Sequence, residues 1–496
     1  MTLARMRRSR DGWRKKATHR GRRLKERNRQ LKKWKERAAS AEARAAVAEA
    51  ELAEERLSAA TTPVVVNVKV NIQVVAVLFF VFGVVSCRAV PRLLRMIRQV
   101  WQVPLPRIPH HSSVVNWVCR AGLGLLNSVA SWESRPWVAI IDTSISYAQQ
   151  KLLVVLRSPL DHFARNARAL ALGDVECIGI EIREVWNGES VCQALTRIFD
   201  VAGIPAAIIK DGGGDINCGT KLWCSSQNTQ VAIVRDIGHV IANELKRVYT
   251  RSSVLSRFLA LIDKIRHHLC QTELASLRPP RIRSKGRFQS ISRVAEWAQT
   301  ILLFVGGRGR VDEGSTTDRC RKVFAGLSKM RWLIERMARD CLALNQLMEI
   351  LKNHGLNQET YAKAKAILLT LPDRKGVRKR LLRWLDEHIR IQCLLGIGQT
   401  PLIVSTDVIE SLMGIIKMII ERTPLPEFGR MALAVPLLCG VQSEVTITES
   451  LAGCSQATLK KFLQDNMNNT IRKQKAKLLA EIQCNNVSKP VVAQPP

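Results

Sequence analysis

WVAIID (Trp137–Asp142) and PAAIIKD (Pro205–Asp211) decide how this chain folds. Each is a short apolar run closed by an aspartate. Runs of this kind, bounded by turn residues, read as strands. The closing acids then stand at strand ends, where a carboxylate can act without being part of a core. Working outward, the first run continues as WVAIIDTSISYAQQKLLVVLRS (Trp137–Ser158), two apolar strands joined near Tyr147–Gln150. ECIGIEIRE (Glu176–Glu184) alternates apolar and charged residues and reads as a third, half-exposed strand. Asn187, Gly188 and Glu189 open a helix that runs to Ala202, where Gly203-Ile204-Pro205 ends it. Gly212-Gly213-Gly214 follows the fourth strand, then another helical stretch. TQVAIVRD (Thr229–Asp236) is the fifth strand.

The order β-β-β-α-β-α-β, with acids closing the first and fourth strands, is that of an α/β RNase H-like fold with a mixed five-stranded sheet. A third acid, Glu410, lies in STDVIESLMGIIK (Ser405–Lys417), which reads as a helix. Three acids delivered by two strand ends and a helix can converge to hold two divalent cations, and such a pair drives in-line displacement at phosphorus. Oxygen ligands suit Mg2+ or Mn2+. Isolated acids at strand ends are usually just solvated; three in this order favour the metal site. Asp407 lies one turn before Glu410 on the same face. It follows Ser405 and Thr406 at the helix start, where capping of backbone N–H groups explains a carboxylate adequately.

The 496 residues suffice for roughly two to four domains at ~100–200 residues each. With 46% hydrophobic residues the chain can bury a sizeable core. A net charge of +35 implies a polyanionic partner. The charge is spread along the whole chain, which favours nucleic acid over a membrane surface. The 13 cysteines show no CxxC pair and no Cys/His cluster at zinc spacing, Cys218 and Cys224 being the closest two. That pattern fits a reduced, cytosolic protein whose thiols are small core hydrophobes. No apolar segment with a cleavage site follows the basic N-terminus. VVAVLFFVFGVVS (Val74–Ser86) is shorter than the ~20 residues that span a bilayer and reads better as a buried helix. VVVNVKVNIQVV (Val64–Val75), which overlaps it, looks strand-like.

Residues 1–60 read as a basic helical arm, either a weak coiled coil or a solvated, partly disordered segment. Residues 1–38 hold 17 Lys+Arg against 3 Asp+Glu. In residues 61–130, SCRAVPRLLRMIRQV (Ser86–Val100) and HSSVVNWVCRAGLGLL (His111–Leu126) flank a proline-rich break. They suit a helix-turn-helix with Ser113, Asn116 and Arg120 facing a DNA groove; an ordinary helical hairpin fits the local pattern too. Residues 131–250 form the first part of the core and 251–398 a mostly helical insertion. Residues 399–425 hold the Glu410 helix, and 426–496 are a helical region and tail. SLRPPRIRSKGRFQS (Ser276–Ser290) is a basic loop whose Arg281, Arg283, Lys285 and Arg287 either meet phosphates or stay solvated.

VAIIDTSISYAQQKLLVVL, AIIKDGGGDI, IVRDIGHVIANELKR, the RSKGRF loop and STDVIESLMGIIK occur in this order. With them, the chain from about residue 85 to 460 resembles bacterial insertion-sequence transposases of the DDE type. The resemblance implies a bacterial cytoplasmic, nucleoid-associated enzyme, a homo-oligomer on double-stranded DNA with no membrane partner. It would bind element ends, hydrolyse a phosphodiester and join the freed 3′ end to target DNA. Asp142, Asp211 and Glu410 would be the catalytic ligands of two ions. Asp215, Asp236, His239 and Asp407 would support them, though His239 also reads as a satisfied structural histidine. Lys417, seven residues after Glu410, would touch DNA. Gly212–Gly214 either admits a phosphate backbone or is a plain turn. Two rival functions remain: a non-enzymatic DNA-binding protein derived from a transposase, and an RNase H-like nuclease without strand transfer.

Each phosphate contact contributes roughly −0.9 to the slope of log K against log salt on B-DNA. Deleting residues 1–38 is expected to flatten that slope by several units. An unchanged slope would mean that the arm does not touch DNA.

Overall fold

The computed structural model of the chain describes residues 71–487 apart from 104, 106, 133–134, 144–149, 229, 250–251, 283–290, 307–310, 423–427 and 468–470. The chain divides into two units, Met1–Val70 and Asn71–Pro496. The first, with the expected basic arm, lies outside the described residues.

The Asn71 side chain accepts from the N–H groups of Gln73 and Val74 and so caps α1 (Ile72–Gly83). The strand-like look of the preceding sequence therefore gives way to helix from Ile72. α1 buries Val74, Ala76, Val77 and Phe80. Among the described residues no helix is long and apolar enough to cross a membrane. α2 (Val90–Val100) opens with Pro91 in its first turn. α3 (His111–Asn127) begins after His110, whose ring accepts from the Ser112 N–H.

β1 (Trp137–Thr143), β2 (Lys151–Pro159) and β3 (Glu176–Arg183) pair antiparallel, with Asp142 opposite Val154. Asn187 and Ser190 form a reciprocal capping box that starts α4 (Gly188–Ala202). β4 (Ala207–Lys210) returns parallel to β1, α5 (Gly214–Ser226) follows, and β5 (Ala232–Arg235) adds parallel to β4. The sheet order is β3-β2-β1-β4-β5. This mixed five-stranded sheet in a largely helical chain is compatible with an RNase H-like core. The two crossovers explain why β4 and β5 are the parallel strands: a helix must carry the chain back before each.

Alternation assigns the faces. Ala139, Ile141, Leu153, Val155 and Ile208 point to one side, against α4 and α5. There Phe199 meets Trp137 and Trp223 edge to face, at centroid distances of 5.9 and 4.8 Å. Asp142 has the opposite parity and faces away from that core.

After β5 the chain is helical: α6 (Ile237–Tyr249), α7 (Ser253–Leu269), α8 (Ile291–Val305), α9 (Thr316–Ser328), α10 (Arg331–His354), α11 (Gln358–Thr370) and α12 (Val377–Leu394). This excursion is fastened at several places. Leu356 and Leu402 exchange backbone hydrogen bonds of 2.9 and 2.8 Å. Arg380 of α12 bonds Glu244 of α6. His388, fully buried, accepts at Nε2 from the Arg235 N–H of edge strand β5 (3.0 Å), while Arg235 also pairs with Glu387. α13 (Asp407–Glu421) then packs against β1.

The C-terminal part contains α14 (Glu444–Ala452), α15 (Gln456–Asn466) and α16 (Ile471–Val487). α3 packs against residues 429–434, α14 and α15, burying Cys119 and Leu123 with Leu433, Cys454 and Leu459. That packing engages two of the three residues expected at a DNA groove. The Arg120 guanidinium donates to the carbonyls of Leu451 (2.7 Å) and Cys454 (2.8 Å), at the C-terminal end of α14. Asn116 Oδ1 accepts from Arg430 at 3.4 Å, and Ser113 is half-buried.

The contact is close because α3 carries glycines. A Cβ on Gly122 would lie 1.7 Å from the Leu433 carbonyl oxygen, and one on Gly124 2.0 Å from that of Ser450. Glycine to alanine in a helix normally gains ~1 kcal/mol. Here Gly122→Ala and Gly124→Ala are each expected to lose ~1–3 kcal/mol through overpacking, measured by urea unfolding. Wild-type midpoints would refute the contact.

Candidate active site

Asp236 organises the site. It is only 2% exposed, immediately after β5. Its Oδ2 accepts from the His239 N–H (2.6 Å), the arrangement of an N-cap for α6, and from His239 Nδ1 (2.9 Å). Its Oδ1 accepts from the Thr406 N–H (2.8 Å), and the Ile237 N–H bonds the Val404 carbonyl (3.0 Å). One buried carboxylate thus joins the end of the sheet, the start of α6 and the start of α13.

Three acids meet around this junction. Asp142 is half-buried near the end of β1, its Oδ1 accepting from the Thr143 N–H (2.6 Å). Asp211 follows β4 directly, its Oδ1 accepting from the Gly213 N–H (2.8 Å). Glu410 stands exposed in the first turn of α13. Burial first, then the charges of Asp211 and Glu410, push the Asp142 carboxyl up to about 7, against the Thr143 N–H and His239. The hydrogen bond to Asp236 does most to raise His239 to about 9; Asp236, Asp211 and Glu410 add their charge, and burial opposes them. An imidazolium therefore sits beside the acids at neutral pH.

Asp211 and Glu410 are both close enough to act on the charge of Asp142 and of His239. Even so, among the described residues no three His, Cys, Asp or Glu side chains group as the ligands of one ion. Asp215 is exposed in the first turn of α5, where the helix dipole favours a carboxylate. Asp407 differs from expectation. Thr406, which precedes the helix, makes no side-chain cap, and the Asp407 carboxylate pairs with Lys352 of α10. Lys417 is half-buried on α13, and Arg281 is exposed. Arg283, Lys285 and Arg287 lie outside the described residues. Cys218 and Cys224 are free thiols.

Two lysines near the site escape sequence inspection. Lys210 precedes Asp211 and is 2% exposed, its ammonium bonded to Asn217 Oδ1. Burial first, then Lys221, hold it down to about 8. Its signal is a charge inside the apolar run AAIIK. Lys352 has no signal, since only the helical packing brings it to Asp407.

No family model matches the chain, and no curated protein does. Among solved structures it is similar to the Drosophila P element transposase strand transfer complex, at 11% identity over 83% of this chain and 100% of that one. The TM-score is 0.38, too low to carry an argument.

The raised Asp142 carboxyl has a stability consequence. The folded state holds a proton that the unfolded chain releases near 3.8, so the associated stability is present at low pH and lost as pH rises through about 7. Asp142→Asn removes that loss. With solvent screening part of the effect, the variant is expected to be more stable than wild type by about 1–2 kcal/mol at pH 8 in EDTA, measured by urea unfolding. The gain should shrink towards pH 4. A gain independent of pH would contradict the assignment.

Proposed function

We propose that this chain is a DDE-type DNA transposase of a bacterial mobile element. It acts on nucleoid DNA in the cytoplasm as a homo-oligomer, using Mg2+ or Mn2+. One observation carries the proposal: at the end of a mixed sheet, the charges of Asp211 and Glu410 add to burial in raising the Asp142 carboxyl, in a chain of net charge +35. Carboxylates that crowd one of their number in this way form a hard oxygen donor set that divalent cations neutralise. The residues fit such ions chemically. Two ions ~3.5–4 Å apart do not require all three acids to converge on a single point. Asp142, Asp211 and Glu410 would hold them. When bound, the pair activates water or a DNA 3′-hydroxyl and steadies charge on the scissile phosphate.

The chain's own groups do the rest. Asp236 fixes His239, whose positive charge sits where an incoming phosphate is attracted. Asp236 also sets the start of the helix that carries Glu410. Asp407 is held by Lys352 and leaves Glu410 as the acid of that helix facing the cluster. Lys417, Arg281, Arg283, Lys285 and Arg287 supply phosphate contacts along double-stranded element ends and target DNA.

Asp142→Asn and Glu410→Gln are expected to lower Mg2+-dependent cleavage of element-end DNA on the order of a thousandfold or more, with gel-shift binding retained. Asp407→Asn should keep most activity, because it loses only a partly exposed ion pair worth ~0–1 kcal/mol. Wild-type cleavage by Glu410→Gln would remove the third ligand from the proposal. Cleavage without joining would favour the nuclease, and binding without cleavage by wild type the non-enzymatic protein.

A further inference from the structure

A second charged site lies on the far end of α13. A cavity of about 290 Å3 opens where that end meets the loop after α1, the start of α3 and residues 428–431. Arg88, Arg422, Arg430 and His111 line it, with Phe80 and Phe428 in its apolar wall. Among the described residues no aspartate or glutamate does. From Glu410 to Arg422 is twelve residues of helix, ~18 Å at 1.5 Å per residue, so this cavity is separate from the acidic cluster.

Positive charge accumulates in the cavity. His111 is held below its ordinary value by desolvation first and then by its neighbours His110, Arg88 and Arg430. Burial pushes the Cys87 and Cys119 thiols up, to about 11 and about 12, and the charge of Arg430 opposes it at both. The positive end of the α3 dipole adds the same sign. Arg422 donates to the Val84 carbonyl (2.7 Å) and Arg430 to Asn116 (3.4 Å). Among the described residues each uses one nitrogen of a guanidinium that carries five N–H donors. Such forks match phosphate oxygens bidentately, which a lysine cannot do.

The volume lies near the lower end of small-ligand sites, ~300–1,000 Å3. It suits a phosphoryl group with its sugar and excludes a duplex. We propose that this cavity binds the phosphoryl group of a nucleotide, carried at the end of a nucleic-acid strand or free in solution. The cationic rim takes the phosphate and the apolar wall takes the attached nucleoside.

The test uses the full chain in EDTA, so that its failure leaves the metal-site proposal untouched. Binding of AMP and adenosine is measured by calorimetry. Binding of a 5′-phosphorylated single strand and its 5′-hydroxyl twin is measured by fluorescence anisotropy. Wild type is expected to prefer at least one phosphorylated probe about tenfold, equivalent to ~1.4 kcal/mol. Preference for the strand alone identifies a strand end as the source; preference for AMP alone identifies free nucleotide. Arg88→Gln/Arg430→Gln should remove the preference. Val115→Trp, which fills the cavity without changing charge, should do the same if the double variant does not fold. No preference in wild type, or full preference in a folded variant, overturns the proposal.

Discussion

The structure depends on a carboxylate removed from water. Asp236 and Thr406 are 170 residues apart, and everything between them is looped out from the sheet and brought back. A buried acid is tolerated only when its oxygens are satisfied, and here three N–H groups from two segments satisfy them. The bond that stabilises Asp236 also places the first turn of α13. Glu410 is thereby set relative to Asp142 and Asp211 by one hydrogen-bonded junction and by the packing of α13 on β1. The Leu356–Leu402 bridge and the His388 contact relieve that junction of holding the helical excursion alone.

Two histidines show how the same side chain is used in opposite ways. His388 is enclosed, donates to the Trp384 carbonyl and accepts from the Arg235 amide, and burial holds it down to about 4. It is a neutral peg between α12 and the sheet edge. His239 donates to the Asp236 carboxylate, which does most to carry it to about 9, and the charges of Asp211 and Glu410 add to that. The charged histidine opposes the burial and the neighbouring acids that raise the Asp142 carboxyl, and what it leaves stays as a cost to the folded state.

The helix from His111 illustrates a different constraint. Its glycines let two backbones approach more closely than any side chain permits, and Arg120 completes the contact by bonding the last carbonyls of α14. A helix so enclosed serves as the spine of the C-terminal part. An amphipathic pattern reports that a face is covered, and is silent about whether protein or DNA covers it.

Much of the core was legible locally. Strands are short, their apolar runs end at turn residues, and their pairing follows from where helices intervene, so WVAIID and PAAIIKD placed Asp142 and Asp211 at strand ends without knowledge of the fold. The Asn187 cap and the Gly203-Ile204-Pro205 stop were equally local. The helix containing Glu410 could be read from its apolar spacing, but not its starting contacts. Lys352 beside Asp407, Asp236 beneath Thr406 and the arginines gathered around His111 come from segments tens to hundreds of residues apart. Residue pattern records which face of an element is apolar, because that is decided within a few turns of chain. Which charged groups share one small volume is decided by tertiary packing, and so are the protonation of Asp142 and His239 and the cationic cavity at the far end of α13.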